Sequence, residues 1–242
     1  VISCVLYDLD GVLLDAREIH YKALNMALVE AGYEPISRVD HETTFNGLPT
    51  KKKLEMLGVD PQVSKLKQKH TVRLLKSLDQ ESKAELAELP CLFGVCTNAV
   101  KETLKIGLEK CGLYPDVALS NEDVVENKPS PEIYLTAMSI LGVCPEETLI
   151  VEDSPHGLEA AKRSGAHVMR VGGVEEVTKR SVDEFVNSSA GGWKWKEIQR
   201  GGLQGTETPN SVPRQDDDRA CSGEHKARSE TYGDGSLPAS QL

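Results

Sequence analysis

Asp8 and Asp10 stand two residues apart and are followed directly by Gly11. At the end of a strand, side chains two apart share a face, and a glycine there lets the chain turn sharply and approach a ligand closely. One such carboxylate can attack phosphorus to form an aspartyl-phosphate. The other can protonate the leaving oxygen and then take a proton from the attacking water. Taken alone, the tetrapeptide reads equally as a solvated turn. A second cluster, Cys96-Thr97-Asn98, precedes an expected helix, where a hydroxyl and backbone N–H groups can hold phosphate oxygens. A simple N-cap is the commoner role for such a threonine. In Asn127-Lys128-Pro129-Ser130-Pro131 the prolines stiffen the chain around one lysine, as a cationic clamp on a phosphoryl group requires, although a lone surface lysine looks the same. Glu152-Asp153-Ser154 offers a carboxylate pair suited to magnesium, or else two exposed acids beside a helix start.

The elements around these clusters give them a common address. Residues 2–8 are an apolar run ending in acids, as expected of a buried parallel strand. Further strands are expected at 91–97, 116–120, 148–153 and 167–171. Helices fall between them, one with Val100, Leu104 and Leu108 on a face, one from Pro131 to Gly142 and one closing at Gly165. This alternation predicts an α/β fold with a Rossmann-like parallel sheet, whose ligands bind beyond the carboxyl ends of the strands. All four clusters sit at such ends or in the loops that follow them. Together they supply a nucleophile, an acid/base, a hydroxyl, a cation and a metal site.

The stretch 15–85 breaks the alternation. Asp15, with Glu18 three residues on, is expected to cap a helix that stops at Gly32, and Thr50 to Leu57 and much of Val63 to Leu89 also carry helical periodicity. The expected organisation is an α/β core of residues 1–14 and 86–186, a small all-helical cap of residues 15–85 inserted after the first strand, and a disordered C-terminal tail, 187–242. The tail is rich in Gly, Ser, Pro and charge, and its few large apolar residues include the Trp193-Lys194-Trp195 stretch.

The 242 residues are 39% hydrophobic, enough for a sizeable core. A net charge of −10 disfavours nucleic acid and anionic membrane as partners. No apolar run approaches a membrane span, and VISCVLYDLD lacks the basic region of a signal peptide, so a cytoplasmic location is expected. The six cysteines form no CxxC pair and no zinc spacing, and they read as reduced core thiols.

In order, DLDGVLLD (8–15), CTN (96–98), NKPSPEIY (127–134) and IVEDSPHGLEAAKRSGA (150–166) resemble the four motifs of the haloacid dehalogenase superfamily. The resemblance covers about residues 2–178. It implies Asp8 as nucleophile, Asp10 as general acid/base, Thr97 and Asn98 as phosphate-binding, and Lys128 as the cationic clamp. Magnesium would be held by Asp8, Asp153 and Glu152, with Asp10 lending its backbone carbonyl. The helical insert is similar to the small cap of the subgroup that includes β-phosphoglucomutase, with His20 and Gly47 at recurrent cap positions. Lys51, Lys52 and Lys53 stand in the first turn of an expected helix, where cations oppose the macrodipole; they read as a solvated lysine face or as charges offset by a substrate phosphate or carboxylate, and Lys51 and Lys52 are the other candidate substrate contacts.

The mutase carries a cap arginine where this chain has Pro49 and Thr50, and a threonine where it has Ala16. Hydrolysis of a small phosphorylated metabolite, such as a sugar phosphate, by a monomer or weak homodimer is therefore expected. The alternatives are a phosphosugar mutase of the β-phosphoglucomutase type and a catalytically silent phosphate-binding module.

Overall fold

The computed structural model describes residues 2–45 and 47–188. Five parallel strands, β1 (Cys4–Tyr7), β2 (Leu92–Cys96), β3 (Val117–Leu119), β4 (Thr148–Glu152) and β5 (His167–Arg170), form one sheet in the order β3-β2-β1-β4-β5. β1 is central, with Tyr7 in register with Val95 of β2 and Val151 of β4. Its alternating side chains divide between two cores. Val5 and Tyr7 join Leu149, Val151 and Val95 on one face, while Cys4 and Leu6 join Ile150 and Cys96 on the other. Period-two alternation with both faces apolar makes a buried parallel sheet, and helices cover each side.

One face is closed by α5 (Lys101–Cys111) and α8 (Lys179–Ser188), the other by α6 (Glu132–Leu141) and α7 (Pro155–Ser164). Between β1 and β2 the chain forms α1 (Arg17–Glu30), α2 (Arg38–Asp40), a π-helical turn His41–Phe45, α3 (Thr50–Leu57) and α4 (Val63–Lys76). These helices have an apolar cluster of their own, built from Leu24, Ala27, Leu28, Ile36, Phe45, Leu54, Val59 and Val63. α1 serves two cores, because Ile19 packs with the sheet and Leu24 and Leu28 pack with the insert.

Local expectations fail in five places. Asp15 does not cap α1; Ala16 is its N-cap without a side-chain bond, and the Asp15 N–H donates instead to Gln80 Oε1 at 3.2 Å. The helix expected to run toward Leu89 ends at Lys76 and gives way to a 3₁₀ turn at Ala84–Glu88. Thr97 is not an N-cap, because α5 begins at Lys101 after Val100. Cys4, Cys91, Cys96 and Cys111 are free thiols as expected, but Cys144 is disulfide-bonded. Of the expected tail, Asn187 and Ser188 belong to α8, and residues 189–242, including the Trp193-Lys194-Trp195 stretch, lie outside the described residues. Among the described residues no helix is long and apolar enough to cross a membrane.

Candidate active site

The carboxyl ends of β1, β2 and β4 meet at Lys128. Its ammonium donates to Asp8 Oδ1 at 2.6 Å, Glu152 Oε1 at 2.7 Å and the Cys96 carbonyl at 2.8 Å, which uses all three of its protons. The side chain is buried, and the ammonium lies 4.7 Å from the centre of the Tyr134 ring. A buried ammonium is tolerated only with such close partners. Desolvation alone would lower the Lys128 pKa, but the charges of Asp8 and Glu152 outweigh it and raise it. Asn98 holds the lysine loop in place by accepting from Lys128 N at 3.1 Å, and its amide donates to the Lys128 carbonyl and to the Gly47 carbonyl, each at 3.3 Å.

Glu152 is fully buried and saturated with donors. Oε1 accepts from Lys128 and from the Tyr134 hydroxyl at 3.0 Å; Oε2 accepts from the Asp153 and Ser154 N–H groups at 2.9 and 3.1 Å and from the Ser154 hydroxyl at 3.2 Å. Gly157, in the first turn of α7, makes the room, since a Cβ there would overlap the Glu152 carboxylate. Gly11, at φ 89°, likewise leaves space that a Cβ would deny to the Asp153 carboxylate.

Asp8, Glu152 and Asp153 each bring a carboxylate oxygen within 4.8 Å of the others. Asp153 Oδ1 and Asp10 Oδ1 are buried without a hydrogen-bond partner. An all-oxygen, strongly anionic donor set with an unbonded oxygen fits a hard divalent cation such as magnesium. The crowding registers on the acids. Burial, then Glu152, pushes the Asp153 carboxyl up to about 6. Burial and Glu152 also raise Asp8, against the pull of Lys128.

Asp10 faces different partners from Asp8. Its Oδ2 lies 3.0 Å from His20 Nε2, and His20 Nδ1 lies 3.1 Å from Lys67 Nζ. An ammonium can only donate, so Nδ1 accepts, and Nε2 carries the proton that His20 gives to Asp10. Burial, then the Lys67 charge, holds His20 below its usual pKa and thus neutral. Burial would raise Asp10, yet His20, Lys67 and Lys53 together hold it below the usual carboxylate range.

The other candidates scatter. Thr97 is buried, its Oγ1 accepting from Ala99 N at 3.1 Å. Gly47, at φ 75°, lies against Ser154 and His156, where a Cβ would come within 3.3 Å of Ser154 Cβ. Lys51 and Lys52 are exposed, and Lys52 pairs with Glu55 on its own helix at 3.1 Å. The cations near Asp10 are instead Lys53 and Lys67, both buried. A signal for Lys67 exists in the sequence, because it shares a helical stripe with Val63 and Thr71, four residues away on either side. Tyr134 closes the NKPSPEIY motif, but nothing in the local sequence pairs it with Glu152.

Fold and site together define a Rossmann-like α/β protein with an aspartate at the tip of its central strand. The family model for haloacid dehalogenase-like hydrolases matches residues 5–171, and the chain belongs to that family. It is 32% identical over 178 residues to YhcW of Bacillus subtilis (strain 168), a match covering 68% of this chain and 81% of the relative. It is 28% identical over 190 residues to the phosphorylated carbohydrates phosphatase of Thermotoga maritima, covering 71% and 85%. Among solved structures, CbbY from Rhodobacter sphaeroides in complex with phosphate superposes with a TM-score of 0.64 at 24% identity, over 72% of this chain and 87% of that one. The chain is a hydrolase of the phosphatase type.

Proposed function

We propose that this enzyme hydrolyses a small phosphate monoester with magnesium, through an aspartyl-phosphate on Asp8. The observation that carries the reading is the Asp8 carboxylate at the end of the central strand, held 2.6 Å from Lys128 beside the unbonded oxygen of Asp153. The phosphatase among its relatives that is named for phosphorylated carbohydrates supports a small phosphorylated substrate.

An Asp8 oxygen attacks phosphorus while the bond to the leaving oxygen breaks, and Asp10 gives that oxygen its proton. A water then attacks the same phosphorus and loses a proton to Asp10, which releases phosphate and restores the Asp8 carboxylate. His20 holds Asp10 in line through its Nε2–H, and Lys67 fixes the tautomer that makes this possible. Asp10 is ionised in the free protein, which suits the second half-reaction; its proton for the first must arrive as substrate binds. Lys128 compensates charge as the phosphoryl group approaches Asp8. Asp8 and Asp153 would hold the magnesium ion, which when bound offsets the carboxylates' charge and polarises phosphoryl oxygens. Glu152, its oxygens already occupied, positions Lys128 in this reading, although its proximity also qualifies it as a ligand. The helices between β1 and β2 act as a cap that closes over the substrate and excludes bulk water.

The test is phosphate release over a panel of sugar phosphates, nucleotides and p-nitrophenyl phosphate, with and without magnesium, beside Asp8→Asn. Magnesium-dependent turnover that drops by about a thousandfold or more in the variant is expected. Turnover that survives Asp8→Asn would rule the mechanism out. Conversion of one phosphate isomer to another, dependent on a bisphosphate primer, would identify a mutase instead.

A further inference from the structure

Arg17 is the first residue of α1, where a cation opposes the helix macrodipole. Its side chain is 43% exposed, yet the guanidinium reaches back to the core: Nη2 donates to the Gly172 carbonyl at 3.2 Å, in the loop after β5, and Nη1 lies 4.0 Å from Asp153 Oδ2, just after β4. Asp153 is short of other partners. Lys128 gives its three protons to Asp8, Glu152 and the Cys96 carbonyl, and Glu152 takes the N–H groups that follow β4, so Asp153 keeps an unbonded Oδ1 beside an Oδ2 that faces Arg17. Arg17 also opposes the upward push of Glu152 and Asp10 on the Asp153 carboxyl.

The Gly172 end of this contact belongs to the insert's attachment. The chain enters the insert at Arg17 and returns from it just before the 3₁₀ turn Ala84–Glu88, where the buried Lys83 donates to the Val174 and Val177 carbonyls at 2.8 and 2.9 Å. Both crossings are thus fastened by a cation to one loop, residues 172–177. Of these two cations it is Arg17 that also faces an acid of the candidate metal site. Before a metal ion binds, the carboxylates of Asp8, Glu152 and Asp153 have Lys128 and Arg17 as counter-charges. A divalent cation held by Asp8 and Asp153 takes over that task, and it repels the nearest cations. Lys128 is locked by three short bonds, whereas Arg17, nearly half in water and 4.0 Å from its carboxylate, is free to yield.

We propose that Arg17 is a built-in counter-charge of Asp153 that a divalent cation displaces, so that metal binding loosens the first fastening of the insert and Arg17 in turn lowers the metal affinity. This rests on the reading of Asp8 and Asp153 as the metal-holding pair. The two effects are one free energy seen from both sides: whatever metal binding takes from the Arg17 contact, the contact takes from metal binding. Arg17 acts through Asp153 and is a positioning residue. An arginine that merely anchors α1 to Gly172 would leave the metal affinity untouched.

The experiment is calorimetric titration of magnesium and of manganese into the full chain at pH 8, where protons compete little for the carboxylates, with Asp153→Asn as the blank for binding elsewhere. Arg17→Met, checked for folding by circular dichroism, should bind either ion about fivefold more tightly than the wild type, and the difference should shrink in about 0.5 M salt because the guanidinium is half-exposed. Arg17→Lys, which keeps the charge, and Lys105→Met, an exposed charge change on α5, should stay close to the wild type. Amide hydrogen exchange reads the fastening: in the loop 172–177 and the first turn of α1 it should rise when metal is added to the wild type, and Arg17→Met should lack that rise. Unchanged or weaker affinity in Arg17→Met, or a wild-type loop whose exchange does not rise with metal, would overturn the proposal. Absence of binding to wild type and variant alike would refute the metal reading itself, and this coupling with it; binding that Arg17→Met leaves unchanged refutes the coupling alone.

Discussion

Tyr134 braces two charged groups at once, donating its hydroxyl to Glu152 Oε1 at 3.0 Å while its ring lies 4.7 Å from the Lys128 ammonium. Removing the hydroxyl leaves the ring and its packing in place but takes one of two donors from Glu152 Oε1. Tyr134→Phe is expected to fold normally and to lose about tenfold in kcat with little change in KM, because in the proposed mechanism the position of Lys128 matters most as the phosphoryl group passes to Asp8. An equal loss in KM, with kcat intact, would place Tyr134 in substrate binding instead. Lys53 yields a prediction in the opposite direction. Its folded pKa of about 7 lies below the ordinary 10.5, so between those values the unfolded chain binds the more protons and stability rises with pH; below pH 7 the full cost of the charged group is present. Lys53→Met, which keeps the apolar stem, should raise the melting temperature of the ligand-free enzyme at pH 7 by about 5 °C or more. The gain should shrink as pH approaches 10.

At the scale of elements, the turn from β4 into α7 is built around one side chain. Glu152 folds back so that the first N–H groups after the strand reach its Oε2, Ser154 caps α7 by accepting from Gly157 N at 3.1 Å, and Gly157 leaves the space that the carboxylate fills. Gly157→Ala forces the acid out or the helix away. It should cost about 2–3 kcal/mol in denaturant unfolding and remove most activity, since Lys128 loses its second carboxylate. Near-native activity in that variant would mean that the helix yields without disturbing Glu152. The end of α4 shows why element boundaries escape local reading. Lys110, from α5, donates to the Lys76 and Leu78 carbonyls at 2.9 and 2.8 Å and so terminates a helix that its own periodicity would continue. In the same way Gln80, 65 residues away in sequence, takes the Asp15 N–H that a capping box would have used differently.

Across the whole molecule, the insert between β1 and β2 carries its own apolar cluster yet sends His20, Lys53 and Lys67 toward Asp10, so its acid stability is tied to the site. His41 titrates at about 4 when folded against an ordinary 6.5, and in that window the unfolded chain binds the more protons, so stability is lost as pH falls from about 6.5 to about 4. His41→Gln should escape this loss. The stability gap between wild type and variant, measured by urea unfolding, should move in the variant's favour by about 2 kcal/mol across that range, and an unchanged gap would mean that His41 is not held neutral. Motif residues and strands were legible from sequence alone because their causes are local: apolar runs make buried strands, and Asp8, Thr97, Lys128 and Asp153 follow those strands at short range. The sequence likewise determined the alternation of elements, and with it a parallel sheet whose strand ends gather the four clusters. Which lysines turn inward was decided only by tertiary packing. Lys51, Lys52 and Lys53 are one run in the chain, and the phase of α3 against Leu24, Leu28 and Phe45 buries the third while leaving the other two in water. The pairings of Tyr134 with Glu152 and of Lys67 with His20 span 18 and 47 residues. Such contacts exist only once separate elements have packed, because each side chain alone is indistinguishable from an ordinary core tyrosine or surface lysine.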